Sequence, residues 1–353
     1  MPRVLGWHTS LRSLTLEAFN QPPRNQRLTM SSSHLFGQTL LTAAQQQHCR
    51  QRSNLVGFCL VAHAWLAIIA AMVLVLWWPN PLTFLVAVAV IGGRQLGLAI
   101  LMHDAAHRLL FDSPRLNDFF GRYLCGAPIG ADMGLYRPYH LQHHRNTQTA
   151  LDPDLELSAP FPISKASLRR KIRRDLLGVT GYQRRLAQFR QSMGTGSPRE
   201  RLLRLWQAEG PFLLFNAVLA AGMTALGEFW MYPLLWLLPL MTWYQLASRI
   251  RNIAEHAVVG ASEDPLRNTR TTLARWWERA LWAPYWVNYH LEHHLLIYCP
   301  CWKLPQLHRW LVEAGLGSRM ELAEGYGEVL RRATSRADDD SGGQRKTSRV
   351  QAL

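Results

Sequence analysis

Nine of the fourteen histidines in the sequence lie in four short clusters whose spacing suits metal binding. Residues 103–107 read His-Asp-Ala-Ala-His, residues 140–144 read His-Leu-Gln-His-His, residues 290–294 read His-Leu-Glu-His-His, and one histidine stands alone at position 256. Side chains at i, i+3 and i+4 share a face of a helix, so the histidines of each cluster can converge on a metal. The candidate ligands are His103, His107, His140, His143, His144, His256, His290, His293 and His294.

The size of this histidine set indicates two metals rather than one. Structural zinc takes four protein ligands and catalytic zinc takes three, whereas nine nitrogens suit two ions with open positions for a substrate. The zinc-protease signature His-Glu-x-x-His is absent because Asp104 stands where the glutamate belongs. The sequence has no Glu-x-x-His pair, which excludes the carboxylate-rich di-iron site of soluble four-helix bundles. The remaining histidines show no such pattern and are predicted not to bind metal: His8, His34, His48, His63 and His308.

The elements that must position these histidines are four long apolar runs, at residues 55–78, 82–102, 211–226 and 229–246. Each run is close to the roughly 20 residues that cross a bilayer as a helix. A turn with two tryptophans and two prolines joins the first two runs, and Gly227-Glu228 joins the last two. We therefore predict an all-α integral membrane protein with four transmembrane helices in two hairpins.

The charge distribution predicts the orientation of these helices. The chain has a net charge of +15, yet the two short turns contain no Lys or Arg. The N-terminal segment, residues 103–210 and the C-terminal segment are rich in Arg, and the positive-inside rule places all three in the cytoplasm. All four histidine clusters then lie at or beyond the cytoplasmic ends of the helices, which indicates a single shared site.

The cysteines and the terminal segments bound the domain organisation. Five cysteines without the spacing of a redox pair indicate a reducing compartment. We predict a polar N-terminal segment at residues 1–50, one membrane domain at residues 51–330 and a disordered tail at residues 331–353, where charged and small residues dominate.

With these histidines the sequence resembles the membrane fatty acid desaturase superfamily, over roughly residues 55–315. Residues 288–294, continuing through 303–308, are similar to the third histidine box of bacterial acyl desaturases. That box begins with His290 rather than Gln, which argues against the front-end subgroup. Asn252 precedes His256 by four residues, as does an asparagine that contacts iron through water in family members.

The resemblance implies a fold and a chemistry. The implied fold is a set of four membrane helices under a cytoplasmic helical cap that holds two iron ions. The implied reaction uses dioxygen as co-substrate and two electrons from a donor protein. No His-Pro-Gly-Gly haem-domain motif is present in the sequence, so we expect the donor to be a separate protein such as a ferredoxin. We expect a multi-pass protein of the bacterial inner membrane with a cytoplasmic active site.

The substrate is less strongly indicated than the reaction class. We expect an acyl-lipid or other acyl substrate within the membrane, and no nucleic acid as a partner. A hydroxylase or ketolase on the same scaffold, acting on a carotenoid, an alkane or another small compound, is the alternative, since histidine ligands do not distinguish these outcomes. A metal transporter is a third interpretation, but transporter ligands belong near the bilayer midplane.

Several acidic residues stand close to the histidine clusters and allow two interpretations. Asp152 and Asp154 either form an ordinary turn or accept hydrogen bonds that orient ligand imidazoles, as metal-bound histidines usually require. The same two interpretations apply to Asp104, Glu255 and Glu292.

Two features outside the clusters carry further predictions. Residues 169–174 read Arg-Arg-Lys-Ile-Arg-Arg and indicate a docking surface for an acidic electron carrier or, equally, for anionic lipid head groups. Arg94 and Gln95 interrupt the second apolar run, where an ionisable side chain is costly unless it faces the bundle interior and finds a partner. We expect this pair to mark the substrate channel or to support the metal site.

Overall fold

The computed structural model describes residues 32–260, 262 and 264–337. Within that part the chain is mostly helical, and its strands are the two-residue β1 (Thr271–Thr272) and β2 (Leu322–Ala323), which pair in parallel. The predictions for His8, for residues 1–31 and for residues 338–353 lie outside the described residues.

Two short helices precede the first hairpin. They are α1 (Ser32–Thr39) and α2 (Ala43–Arg50). The hairpin consists of α3 (Asn54–Trp77) and α4 (Pro81–Ala106), each started by a side-chain cap. The Asn80 side chain accepts hydrogen bonds from the backbone N–H groups of Leu82 and Thr83, so the predicted turn also starts α4.

A compact helical region follows the hairpin and leads to the second histidine cluster. It contains α5 (Pro114–Phe119), a π-helical turn (Phe120–Gly126), α6 (Ala127–Ile129) and α7 (Met133–Asn146). Asp132 caps α7 by accepting from the N–H of Gly134 and Leu135. Three further helices are α8 (Leu155–Ser158), α9 (Lys165–Leu176) and α10 (Val179–Met193).

The second pair of apolar runs folds differently from the first. The third run is the C-terminal half of a longer helix, α11 (Pro198–Ala225), which begins with a Ser197–Glu200 capping box rather than at residue 211. The fourth run is segmented into a π-helical turn (Tyr232–Leu237), α12 (Leu238–Met241) and the start of α13 (Trp243–His256). Pro233 and Pro239 lack the N–H group that a regular helix uses, which explains the interruption.

Among the described residues, three helices are long and apolar enough to cross a membrane, namely α3, α4 and α11. They differ in how far the protein covers them: two thirds of the most apolar stretch of α4 is buried, against a third for α3 and less for α11. The helix α4 is therefore the central one, with α3 packed along it. The segmented fourth run contains no helix of comparable length.

Two glycines let other elements approach α4 closely. A Cβ atom at Gly92 would lie 2.7 Å from the Cβ of Trp243, and one at Gly97 would lie 2.7 Å from the ring of Tyr285. The start of α13 and the segment before the last histidine cluster can thus pack directly against the α4 backbone. This packing brings the elements that carry His256 and His290 to the end of α4.

The C-terminal part completes the fold around the histidines. Its helices are α14 (Trp276–Leu281), α15 (His290–Leu295), α16 (Leu304–Glu313) and α17 (Tyr326–Ala333). Three 3₁₀ turns lie between them or precede them, at Pro265–Arg267, Pro284–Trp286 and Cys301–Lys303. The helix α17 runs three residues past the predicted domain end at residue 330.

Candidate metal centre

The nine clustered histidines converge into two neighbouring groups. Within each group the ring nitrogens that face a common point lie within 4.8 Å of one another. The five-histidine group contains His103, His107, His140, His144 and His293. The four-histidine group contains His143, His256, His290 and His294. The groups adjoin, since the ring centroids of His144 and His294 are 4.2 Å apart.

Each His-x-x-His-His cluster divides between the two groups instead of serving one metal. His140 and His144 join the five-histidine group, whereas His143 joins the other. The cause is helix geometry: residues i and i+4 differ by about 40° around the axis, while i+3 lies about 60° away on the other side. The cluster at 290–294 divides in the same way, with its i+3 member in the five-histidine group.

The positions of these histidines follow from the ends of their helices. His103 lies in the last turn of α4, and His107 is the residue that caps this helix. His256 is the last residue of α13. The other two clusters lie on α7 and α15, whose packing closes the site on two sides. Most of these side chains are buried, which separates their nitrogens from bulk water.

Nitrogen–nitrogen distances in the five-histidine group fit a shared metal ion. The Nε2 atom of His144 lies 2.9 Å from that of His140 and 3.0 Å from that of His293. Two imidazole nitrogens bound about 2.0–2.1 Å from one ion, at right angles, would be about 2.9 Å apart. The arrangement has the spacing that two ligands of one ion require.

The four-histidine group shows the same spacing. The Nε2 atom of His290 lies 2.8 Å from that of His256 and 3.0 Å from that of His294. Five buried histidine nitrogens of the two groups have no hydrogen-bond partner, and buried polar atoms without a partner call for an explanation. These atoms are Nδ1 and Nε2 of His103, Nε2 of His107, Nδ1 of His144 and Nδ1 of His256. A cation bound to the five-histidine group would explain the unpartnered Nε2 of His107 and one nitrogen of His103. Nδ1 of His144 and Nδ1 of His256 belong to rings whose Nε2 already faces the other ligands.

Burial keeps the imidazoles neutral, which is the form that binds metal. Desolvation is the main cause that lowers the pKa of seven of these imidazoles well below the ordinary value of 6.5. Electrostatic repulsion from neighbouring His and Arg side chains is the second cause. The seven are His107, His140, His144, His256, His290, His293 and His294. At neutral pH these rings therefore offer a lone pair to a metal.

The segment that follows α7 holds the four-histidine group from outside. The Nδ1–H of His143 donates to Oδ1 of Asp152 at 2.7 Å, and the Nδ1 of His294 lies 3.2 Å from the hydroxyl of Thr147. Gln148 donates its backbone N–H to Asp152 at 2.9 Å and its side-chain amide to the carbonyl of His256 at 3.1 Å. One short segment thus contacts three of the four histidines, two through their rings and one through its backbone carbonyl.

Of the two interpretations of the acidic residues, orientation of a histidine applies most clearly to Asp152. Asp154 is more distant, with Oδ2 3.8 Å from the Nδ1 of His143. Glu255 accepts from Arg251 and lies 3.5 Å from the Nδ1 of His290. Burial is the main cause that raises the pKa of the Glu255 carboxyl to about 7.

Asp104 and Glu292 have roles that spacing alone did not reveal. Asp104 accepts from the backbone N–H of Cys301 at 3.0 Å and so fixes the segment after α15 to the end of α4. Glu292 accepts from the Nδ1 of His308 at 2.6 Å and also bonds the Thr271 hydroxyl. His308 is outside both histidine groups and holds α15 in place through Glu292.

Three other residues are predicted to act in or near the site, namely Asn252, Arg94 and Gln95. Asn252 is half-buried one turn before His256, with Oδ1 3.4 Å from Nη1 of Arg251. Arg94 is buried and donates to the carbonyl of Ala280 at 2.7 Å. A backbone carbonyl thus supplies the partner that a charge in α4 requires.

The fully buried Gln95 donates to the carbonyl of Trp236 at 2.9 Å. It ties α4 to the π-helical turn of the fourth apolar run. The predicted polar pair in α4 therefore joins that helix to two different elements.

A helical protein with membrane-length apolar helices and a buried histidine cluster that suits metal is of the membrane desaturase class. Comparison with known families agrees: the family model described as fatty acid desaturase matches residues 76–324. The chain belongs to the fatty acid desaturase superfamily, and its activity is that of a desaturase-type oxidoreductase.

A relative with a similar sequence supports the same assignment. The chain is 30% identical over 265 residues to a protein named dihydrorhizobitoxine desaturase from Bradyrhizobium elkanii. The match covers 71% of this chain and 74% of the relative. The match therefore extends across most of both proteins.

Proposed function

We propose that the protein is a di-iron desaturase that introduces a double bond into an acyl chain, using dioxygen and two electrons from a separate donor. The observation that supports this proposal best is the convergence of nine histidines into two adjoining groups with ligand-like spacing. The ligands would be these nine histidines, with Asn252 contributing through water to the four-histidine group. Two irons, when bound, supply the dioxygen activation that breaks an unactivated C–H bond.

The chain's own residues orient the imidazoles, keep them uncharged and exclude water from the site. The buried histidines stay neutral and keep their lone pairs directed at two neighbouring points. Asp152 and Thr147 hold the imidazoles of His143 and His294, and Gln148 holds the backbone of His256. The packing of α7 and α15 over the end of α4 excludes bulk water, which protects a reactive centre from side reactions.

The proposed topology has four membrane spans in two hairpins, with residues 51–330 as one domain. The segmented run at residues 229–246 would be the fourth span, since buried irregular backbone is tolerated at membrane depth. The histidine groups would then belong to a cytoplasmic cap on the bacterial inner membrane. An external carrier such as a ferredoxin would deliver the electrons there.

A small molecule is the second candidate for the substrate. The observation that favours it is the name of the relative from Bradyrhizobium elkanii, which gives dihydrorhizobitoxine as the compound desaturated. Hydroxylation or ketone formation on the same scaffold is a further outcome, since the histidines hold the metals in the same way for each.

Product analysis in an expression host separates these candidates. Membrane lipids and small metabolites would be profiled in cells expressing the wild-type chain, the His140→Ala variant or an empty vector. A new double bond in acyl chains, present only with the wild type, supports the acyl substrate. A new unsaturated small compound supports the second candidate, and a hydroxylated or ketone product contradicts desaturation.

A further inference from the structure

The junction between α9 and α10 presents large apolar side chains to the surroundings. Leu176 and Leu177 are 45% and 69% exposed, and Val179 and Tyr182 are 37% and 65% exposed. Gly178, with φ at +74°, forms the tight turn that brings the four residues together. We call these four residues the α9–α10 corner.

Exposed arginines lie directly beside this corner. The helix α9 carries Arg169, Arg170, Arg173 and Arg174, all with exposed side chains. The opposite face of the helix is buried through Leu168 and Asp175. Asp175 pairs with Arg249 of α13 at 2.9 Å, so the arginines stand on a firmly anchored helix. We call Arg169, Arg170, Arg173 and Arg174 the α9 arginines.

The position of the corner relates it to the membrane-facing part of the chain. A Cβ atom at Gly181 would lie 2.5 Å from the carbonyl oxygen of Met241. The Cβ of Met241 is also among the atoms nearest to Gly178. Met241 ends α12 in the last part of the fourth apolar run, and the first charged residue of α13 is Arg249. Arg249 pairs with Asp175 beside the corner, so the corner lies near the level where this run would leave the bilayer.

We propose that the α9–α10 corner inserts into the membrane surface and that the α9 arginines bind anionic phospholipid head groups. This inference rests on the proposed membrane topology. Apolar side chains next to a row of cations are the pattern of an interfacial helix, which buries its apolar face at the boundary of head groups and acyl chains. An acidic electron carrier would be attracted by the arginines but would leave the exposed leucines without an explanation.

The test places an environment-sensitive fluorophore on the full-length protein in lipid nanodiscs. The described part of the chain has one exposed cysteine, Cys59, and the other four are buried. A nitrobenzoxadiazole label would therefore be attached at Leu177→Cys in a Cys59→Ser background. Glu313→Cys, exposed at the end of α16, provides the aqueous control. The wild-type chain labelled at Cys59 on α3 reports whether the membrane span itself is in lipid.

Nanodiscs of phosphatidylcholine alone are compared with nanodiscs that also contain phosphatidylglycerol. We expect the label at position 177 to emit at shorter wavelength and its quenching by iodide to fall several-fold when phosphatidylglycerol is present. Arg169→Gln combined with Arg173→Gln should remove this dependence on phosphatidylglycerol. The matched pair Arg275→Gln and Arg309→Gln, exposed elsewhere, should not.

The outcomes separate failure of the corner from failure of the topology. If the label at Cys59 is shielded from iodide but the label at 177 behaves like that at 313 in both lipids, the corner does not insert. If Cys59 is also accessible, the membrane topology is wrong. If an acidic ferredoxin, rather than phosphatidylglycerol, protects position 177, the surface is a protein docking site and the lipid assignment is overturned.

Discussion

Replacing Asp152 by Asn should weaken metal binding at the four-histidine group. The Asp152 carboxylate is buried, and its Oδ1 accepts from the Nδ1–H of His143 at 2.7 Å and from the backbone N–H of Asp154 at 2.8 Å. Its Oδ2 accepts from the backbone N–H of Gln148 at 2.9 Å. An amide has one acceptor oxygen, so Asp152→Asn loses either the His143 bond or the Gln148 bond. In both cases the negative charge that strengthens the bond to His143 is lost.

The magnitude follows from the role of such partners. Loss of a hydrogen bond that orients a metal-bound histidine costs about 10- to 100-fold in metal affinity, or about 1.4–2.8 kcal/mol. The effect should begin at the group that contains His143 and extend to the five-histidine group, because α7 and α15 supply ligands to both. We therefore expect Asp152→Asn to lose its iron at a chelator concentration that leaves the wild type fully loaded.

The assay is the iron content of purified protein after dialysis against graded chelator concentrations. Asp154→Asn is the matched control, because its Oδ2 is 3.8 Å from the same His143 nitrogen, too far for a hydrogen bond, while its Oδ1 accepts from the Tyr139 hydroxyl. It should retain iron like the wild type. Equal retention by Asp152→Asn and the wild type, or an equal loss in both variants, would refute the orienting role of Asp152.

Three further predictions concern the rest of the site. Purified protein should contain two irons per chain, and one zinc with no iron would contradict this metal content. Alanine at any ligand should abolish activity without preventing membrane insertion, whereas His48→Ala should leave activity unchanged. The metal-free protein should lose thermal stability as pH falls below about 6.5, because burial lowers the pKa of the folded histidines and the unfolded chain then binds more protons; a melting temperature constant from about pH 7.5 to 5.5 would contradict this. Arg94→Leu should insert normally but reduce activity or change the products, since the contact with Ala280 joins α14 to α4, the helix that carries His103. Wild-type rate and products would show that this contact is dispensable. The alanine changes apply to His103, His107, His140, His143, His144, His256, His290, His293 and His294.

The sequence was most informative where spacing and composition act locally. The histidine set, three of the continuous apolar helices and the turns at residues 77–81 and 227–228 all follow from short patterns. The division of each His-x-x-His-His cluster could also have been derived, because the angles between i, i+3 and i+4 are fixed by the helix. It was missed because a shared helix face was equated with a shared metal.

Other features depend on contacts between distant parts of the chain. The partnership of Glu292 with His308 and Thr271 requires β1 and α16 to meet beside α15, which no local pattern predicts. The carbonyl partner of Arg94 comes from α14, some 186 positions later in the chain. The segmentation of the fourth apolar run was visible as Pro233 and Pro239, but hydropathy alone does not register the loss of a backbone donor.

The division of the clusters on α7 and α15 has a thermodynamic consequence for how the site fills. Each of these helices supplies nitrogens to both groups, so an ion that settles in one group immobilises a helix that the other group also needs. Binding of the first ion includes most of the loss of conformational entropy, because it orders both helices. The second ion then binds to helices that are already ordered. Linkage makes this coupling reciprocal, whichever group fills first. We expect titration of the metal-free chain to be sigmoidal, with the singly loaded form scarce at every stage.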